Sequence, residues 1–346
     1  MPEEAHSKQR PPRHWWRWVV GIIVVLLLGI GGYGYYLYAS VHNSVQKTYT
    51  PLKKKSAATS AKLKATKPLS LLLLGTDTGD LGRTEARGRT DTIILLTINP
   101  KTKTTRMTSI PRDTMTQMIG QSQLDVEKLN TAYAIGGADM CVNTVARLVN
   151  VPINYYAVVN MGGLTKVVDD LGGVDVTPTL SFSYSGYTFT KGKKVHMSGA
   201  TALAYSRMRY DDPQGDYGRQ ARQRQIIMSV LKSATSLNSL THFKALLKSV
   251  ESNLRTNLSF NEMVSLFSNY RGAIGTVKQD HIQGVEAIIN EASFQVVSTK
   301  ELQRASDEMR ASLDLPHAAL DNFETQQNAL NPSFDWELGS GQYMVQ

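Results

Sequence analysis

Residues 69–77 read LSLLLLGTD. An almost unbroken apolar run that ends in glycine, threonine and an acid is the pattern of a buried strand opening into a polar loop. Outward from it, Thr92–Asn99 (TIILLTIN) and Thr105–Ile110 are rich in β-branched residues and predict two further strands, with Pro100-Lys101 turning between them. The pattern then alternates. Asp139–Val149 predicts a helix, Tyr155–Val159 a strand, Leu164–Leu171 a helix closed by Gly172-Gly173, and Val174-Asp175-Val176 a short strand. Helices are expected over Gly199–Arg207, Arg219–Ser236, His242–Leu254 and Asn261–Arg271. Strands mixed with helices imply an α/β domain, layered α/β/α.

The 346 residues are 41% hydrophobic and 19% charged, a globular composition. The formal charge of +9 is uneven. Residues 1–18 hold four basic and two acidic side chains, residues 39–67 hold seven lysines and no acid, and residues 68–346 hold 27 of each sign. A neutral domain argues against DNA binding, which rests on neutralising phosphates. The one cysteine, Cys141, excludes an internal disulfide framework and a cysteine-based zinc site, and the scattered histidines show no metal-binding spacing.

Between the two basic stretches, Val19–Tyr38 (VVGIIVVLLLGIGGYGYYLY) carries no charge and has tryptophans before it and tyrosines at its end. It predicts a transmembrane helix, being longer than a signal-peptide core and followed by a poor cleavage sequence. Charge alone leaves its orientation tied. Residues 39–67 are expected to form a basic stalk, and residues 311–346 a polar, poorly ordered tail.

Polar residues gather where strands end: Gly75-Thr76-Asp77, Gly88-Arg89-Thr90-Asp91, Ile110-Pro111-Arg112-Asp113, and the run from Tyr205 to Gln223. Ligands of open α/β sheets collect at such ends. On a helix, Arg222 and Gln223 lie about 300° and 40° from Arg219, on the same side as Ile226 and Val230. Arg224, about 140° away on that wheel, is expected to be solvated. Arg207 and Arg209 can serve one site only if their helix ends near Ser206. Taken together, Arg89, Arg112, Arg207, Arg209, Arg219 and Arg222 suggest an anion pocket; the competing reading pairs them with Asp211, Asp212 and Asp216. Asp77 and Asp91 are a plausible pair of oxygen ligands for Mg²⁺, or else turn-capping acids. Asp113 and Asp175 read as an ion-pair partner and a turn acid. No Walker motif is present, which disfavours an NTPase.

The blocks LLLLGTD, GRTDTIILLTINP, TSIPRD, KLNTAYAIGG, VVDDLGGVDV, LAYSRMRY and GDYGRQARQRQII, in this order from about Leu69 to Ser236, resemble the LytR-CpsA-Psr family. The resemblance implies a central mixed sheet in a catalytic domain spanning 68–310. It implies a membrane-anchored enzyme with residues 1–18 in the cytoplasm and the domain outside the cell. Such enzymes move a glycopolymer, a teichoic acid or capsular polysaccharide, from an undecaprenyl pyrophosphate carrier to peptidoglycan. Carried over, Asp77 and Asp91 match the Mg²⁺ ligands, and Arg89, Arg112, Arg207, Arg209, Arg219 and Gln223 match positions that hold the pyrophosphate. Arg222 lies in the same motif. Arg112 and Asp216 are the catalytic candidates; Asp216 is either a base for the acceptor hydroxyl or an acid steadying Arg219. Two other activities fit the same sequence: hydrolysis of the pyrophosphate, and a membrane-tethered transcriptional regulator.

Overall fold

The computed structural model describes residues 48–52, 63, 66–78, 87–235, 240–337, 339 and 342–346. The membrane reading of 19–38 and most of the stalk lie outside these residues. Among the described residues no helix is long and apolar enough to cross a membrane.

Six strands form the central sheet: β1 (Leu69–Thr76), β2 (Thr90–Asn99), β3 (Thr104–Ser109), β6 (Tyr155–Asn160), β11 (Leu254–Thr256) and β12 (Thr276–His281). Their order is β11-β6-β1-β2-β3-β12. β1 runs parallel to β6 and β3 parallel to β12, while the other pairs are antiparallel, so the sheet is mixed. The leucine run is central and covered on both sides, which is why it reads as continuous rather than alternating. Leu72 and Leu74 on β1 lie opposite Leu95 and Ile93 on β2. These four pack under α1 (Ala132–Val149) and α7 (Thr299–Ser312) through Met140, Val145, Leu302 and Met309. On the other face Tyr155 donates from its hydroxyl to Glu262 (3.1 Å) on α6 (Phe260–Tyr270). The layering is α/β/α.

A smaller lobe follows β6. It contains α2 (Met161–Asp170), β7 (Val174–Val176), the hairpin β8 (Phe182–Tyr184) and β9 (Tyr187–Phe189), β10 (Val195–Met197) and α3 (Gly199–Arg207). The long helix α4 (Asp216–Thr235) closes it by burying Ile226 beside Phe182, Phe189 and Tyr205. α5 (Leu240–Ser249) leads back to β11 at the sheet edge.

Three expectations need correction. The helix expected over His242–Leu254 ends at Ser249, and Leu254 opens β11, because that segment pairs antiparallel with β6. The stalk is not free throughout: Thr50 N–H donates to Thr256 O (2.8 Å) and Leu63 is buried, so part of it covers the edge strand. The segment after residue 311 is not a loose tail. It folds into α8 (Phe323–Leu330), and Phe334 and Tyr343 pack on Met115 of β4 (Met115–Gln117), which pairs with β5 (Val126–Lys128). The same cluster takes in β13 (Val285–Ile289) and β14 (Ala292–Val296) through Ala287 and Val296. Low hydrophobic density hides a few well-placed aromatics, and it was those that found a partner.

Candidate active site

The ends of β1 and β3, the start of β2, the end of α3 and the first turn of α4 meet at one rim of the sheet. Their arrangement begins with a β-bulge. Gly75 pairs with Thr92 and Thr76 with Thr90, so Asp91 is the extra residue between them. A bulge re-aims the side chain it carries. Asp91 accepts a hydrogen bond from Arg112 Nη1 at 2.6 Å, across the exit of β3. Asp77 lies at the end of β1, where its N–H donates to Arg89 O (3.3 Å). Gly88 is needed there, because a Cβ would fall 2.4 Å from Asp77 Oδ1.

Asp216 stands among three arginines. Arg219 Nη2 is 2.5 Å from its Oδ1, Arg209 Nε 3.8 Å and Arg112 Nε 4.0 Å. Gln220 Nε2 donates to its other oxygen at 2.9 Å. These contacts are those of an acid that steadies arginines. They are driven by charge rather than by directed bonding: among the described residues Arg112 Nε, which has Asp113 at 3.4 Å, and Arg219 Nη2, which has Asp216 at 2.5 Å, are paired without hydrogen-bond geometry, and Arg219 Nε has no hydrogen-bond partner. Burial by itself lowers the pKa of Arg112, but Asp91, Asp113 and Asp216 outweigh it and hold the group above its ordinary value. Arg219 moves the other way. Burial, with the charges of Arg112 and Arg209, lowers its pKa despite Asp216 and Asp91. The rim therefore gathers Arg112, Arg209 and Arg219 around one shared carboxylate, with guanidinium N–H groups that its acids do not hydrogen-bond. An oxyanion gripped by several guanidiniums would satisfy these groups.

α3 ends at Arg207, and Met208 is extended (φ −54°, ψ 136°), which lets Arg207 and Arg209 share a side as the sequence required. Arg207 is half-buried and Arg89 exposed, and neither makes an ion pair among the described residues. Gln223 is half-buried, one helical turn beyond Arg219.

Three residues depart from expectation. Arg222 does not join the rim. It pairs with Asp212, donates to the carbonyls of Tyr205 (3.2 Å) and Met208, and stacks on Phe182, 5.3 Å from the ring centroid. Gly218 makes room for that pair, since a Cβ would collide with the Asp212 carboxylate. Arg224 is not solvated. It is 7% exposed, and its Nη1 donates to Ser109 Oγ at 2.7 Å. The helical wheel assumed one buried stripe, but α4 is packed on both sides, against α3 and β7 and against β3 and the turn Arg271–Ile274. Asp175 is also more than a turn acid: on β7 it accepts from Lys194 and His196.

Sequence reasoning missed Gln220, the residue that holds Asp216, and Asn130, whose N–H donates to Arg112 O (2.9 Å) and fixes the loop carrying Arg112. Spacing could have found Gln220, at i+4 from Asp216. Nothing local marks Asn130.

As hard oxygen donors on adjoining strand ends, Asp77 and Asp91 suit Mg²⁺, which takes one or two carboxylates plus substrate phosphates. No group of three or more His, Cys, Asp or Glu able to hold a metal occurs among the described residues.

A model of the LytR_cpsA_psr family matches residues 35–311. A polyisoprenyl-teichoic acid–peptidoglycan teichoic acid transferase TagU of Enterococcus faecalis is 44% identical over 296 residues, covering 86% of this chain and 96% of its own length. The crystal structure of TagU from Bacillus subtilis superposes with a TM-score of 0.58 at 39% identity, over 73% of this chain and 99% of that one. A structure of TagT bound to LIIa-WTA is similar with a TM-score of 0.62 at 26% identity, over 77% and 100% of the two chains.

Proposed function

The chain belongs to the LytR-CpsA-Psr family, and from that premise we propose that it transfers a teichoic acid or related glycopolymer from a polyisoprenyl pyrophosphate carrier to peptidoglycan. The observation that carries this reading is the convergence of Arg112, Arg209 and Arg219 on Asp216, beside Asp77 and Asp91. A pyrophosphate supplies oxygens that several guanidiniums can grip at once.

In this mechanism Arg112, Arg209 and Arg219 bind the pyrophosphate and neutralise charge as it moves to the leaving lipid phosphate. Asp216 holds the three guanidiniums in register, and Gln220 holds Asp216. Arg89, Arg207 and Gln223 reach the same group from the β2 start, the α3 end and the second turn of α4. Asp77 and Asp91 would hold Mg²⁺, which supplies further neutralisation of the phosphate oxygens. We place residues 19–38 across the membrane, with residues 1–18 in the cytoplasm and the domain outside, where both carrier and acceptor are reached.

The test is incubation of the purified full chain with lipid-linked glycan, Mg²⁺ and peptidoglycan. Glycan covalently joined to peptidoglycan supports the reading. Glycan released free into solution makes the protein a hydrolase, and unchanged lipid-linked glycan overturns the proposal.

A further inference from the structure

α4 presents a third face that the transfer reaction described above does not use. Tyr217, Ala221 and Arg224 recur at helical spacing and, with Gln214, His281 and Gln283, line a cleft of about 280 Å³. Arg224 is the unusual member. It is more than nine-tenths buried, yet among the described residues Ser109 Oγ is its only hydrogen-bond partner, and its Nε is buried without one. The one acid acting on it, Asp280, is already engaged by Arg106 (3.2 Å) and Arg304 (3.1 Å). A buried guanidinium left unneutralised is costly unless a ligand completes it.

The cleft adjoins the active site through the backbone. Ser109 is three residues before Arg112, and Tyr217 directly follows Asp216. Tyr217 is held in place by its hydroxyl, which donates to Gln295 Oε1 (3.1 Å) and accepts from Gly284 N–H (2.7 Å). Gln283 also lines a second depression of about 270 Å³, whose charged residues are Lys300, Glu301 and Arg304, with Trp336 beside them. A phosphate alone would not need this length, whereas a sugar chain carrying anionic groups would use both depressions.

Resting on the transferase reading, we infer that this cleft is a second anion subsite, in which Arg224 grips an oxyanion carried by a glycan whose reacting end lies at the Asp216 rim. The oxyanion is either a phosphodiester of the donor polymer or a carboxylate of the acceptor. Arg224 is a binding residue here and stands apart from bond making.

The experiment uses the full chain in detergent with Arg224→Gln and Arg224→Lys. Donors with and without phosphodiester-bearing repeats, and acceptors with free or amidated carboxylates, are compared in the transfer assay. Arg224→Gln should raise KM about tenfold for the one partner that carries the anion, as expected for a charge-assisted contact, with kcat nearly unchanged and partial rescue by lysine. A rise for the phosphodiester-bearing donor alone assigns the donor, and a rise for the free-carboxylate acceptor alone assigns the acceptor. Unchanged KM for both overturns the inference. A binding arm keeps it separate from the transferase reading: inorganic phosphate is titrated calorimetrically into protein saturated with pyrophosphate. Heat seen with the wild type and lost in Arg224→Gln supports the subsite even if no transfer occurs, and heat unaffected by the substitution overturns it. Should Arg224→Gln fail to fold, His281→Ala with Gln283→Ala is read in the same two assays against the same outcomes.

Discussion

Arg219 and Arg222 sit three positions apart on one helix and do different work. Arg219 has one acid close by and, among the described residues, a buried Nε without a hydrogen-bond partner, so its loss should weaken substrate capture and turnover rather than the fold. Arg219→Gln is expected to reduce glycopolymer transfer roughly ten- to a hundredfold, the effect of a charge-assisted contact of about 1.5–3 kcal/mol, with the melting temperature nearly kept. Arg222 is saturated by Asp212 and two carbonyls. Arg222→Ala leaves the Asp212 carboxylate, 7% exposed, without its cation. It should cost about 3–5 kcal/mol in denaturant unfolding. A variant with wild-type stability would show that the pair is not a tie between α4 and the loop after α3. The sequence marked both residues as arginines of one motif. It could not separate them, because the acid that claims Arg222 reaches it only when Gly218 lets the loop fold onto the helix.

At the scale of elements, strands were legible where burial is symmetrical. The β1, β2 and β3 readings fall within two residues of their bounds, and Gly199–Arg207 matches α3. α4 was legible as a helix and not as a surface, since a wheel with one core stripe cannot describe a helix packed on two sides. The elements after residue 274 were not read from sequence. β12 to β14 are short, and their sheet partners are distant in the chain. α8 adds a titratable device to that region. Burial pushes the Glu324 carboxyl above its ordinary pKa, against hydrogen bonds from Thr116 Oγ1 (2.6 Å) and Gln117 N–H (3.1 Å). An acid whose folded pKa is raised contributes stability that is complete below its unfolded value, about 4.3, and is lost as pH rises through the folded one. The melting temperature of the wild type minus that of Glu324→Gln should therefore fall between pH 4 and pH 8. A flat difference would mean that the carboxylate is as well solvated folded as unfolded.

For the whole molecule, the C-terminal segment should be indispensable. A chain ending at residue 312 uncovers Met115, Phe294 and Val296, which Phe334 and Tyr343 help bury. It is expected to be insoluble or markedly less stable than the full chain in thermal unfolding; an equally stable truncation would assign that segment no part in the fold. Topology is checked by reporter fusions after residue 70: alkaline phosphatase should be active there, and a cytoplasmic reporter active instead would place the domain on the wrong side of the membrane for its substrates. The parallel pairing of β3 with β12 has a kinetic consequence. It joins Arg106 to Asp280 across 174 positions, and such non-local parallel contacts slow folding because loop closure must precede any gain. Until β12 arrives, β3 is an open sheet edge, and Arg106 and Arg304 lack Asp280, one of the two acids they share. Nascent chains should thus pass through an aggregation-prone interval whose length is set by the last strand of the central sheet, and a slow phase in refolding should coincide with protection of the β3 amides from hydrogen exchange.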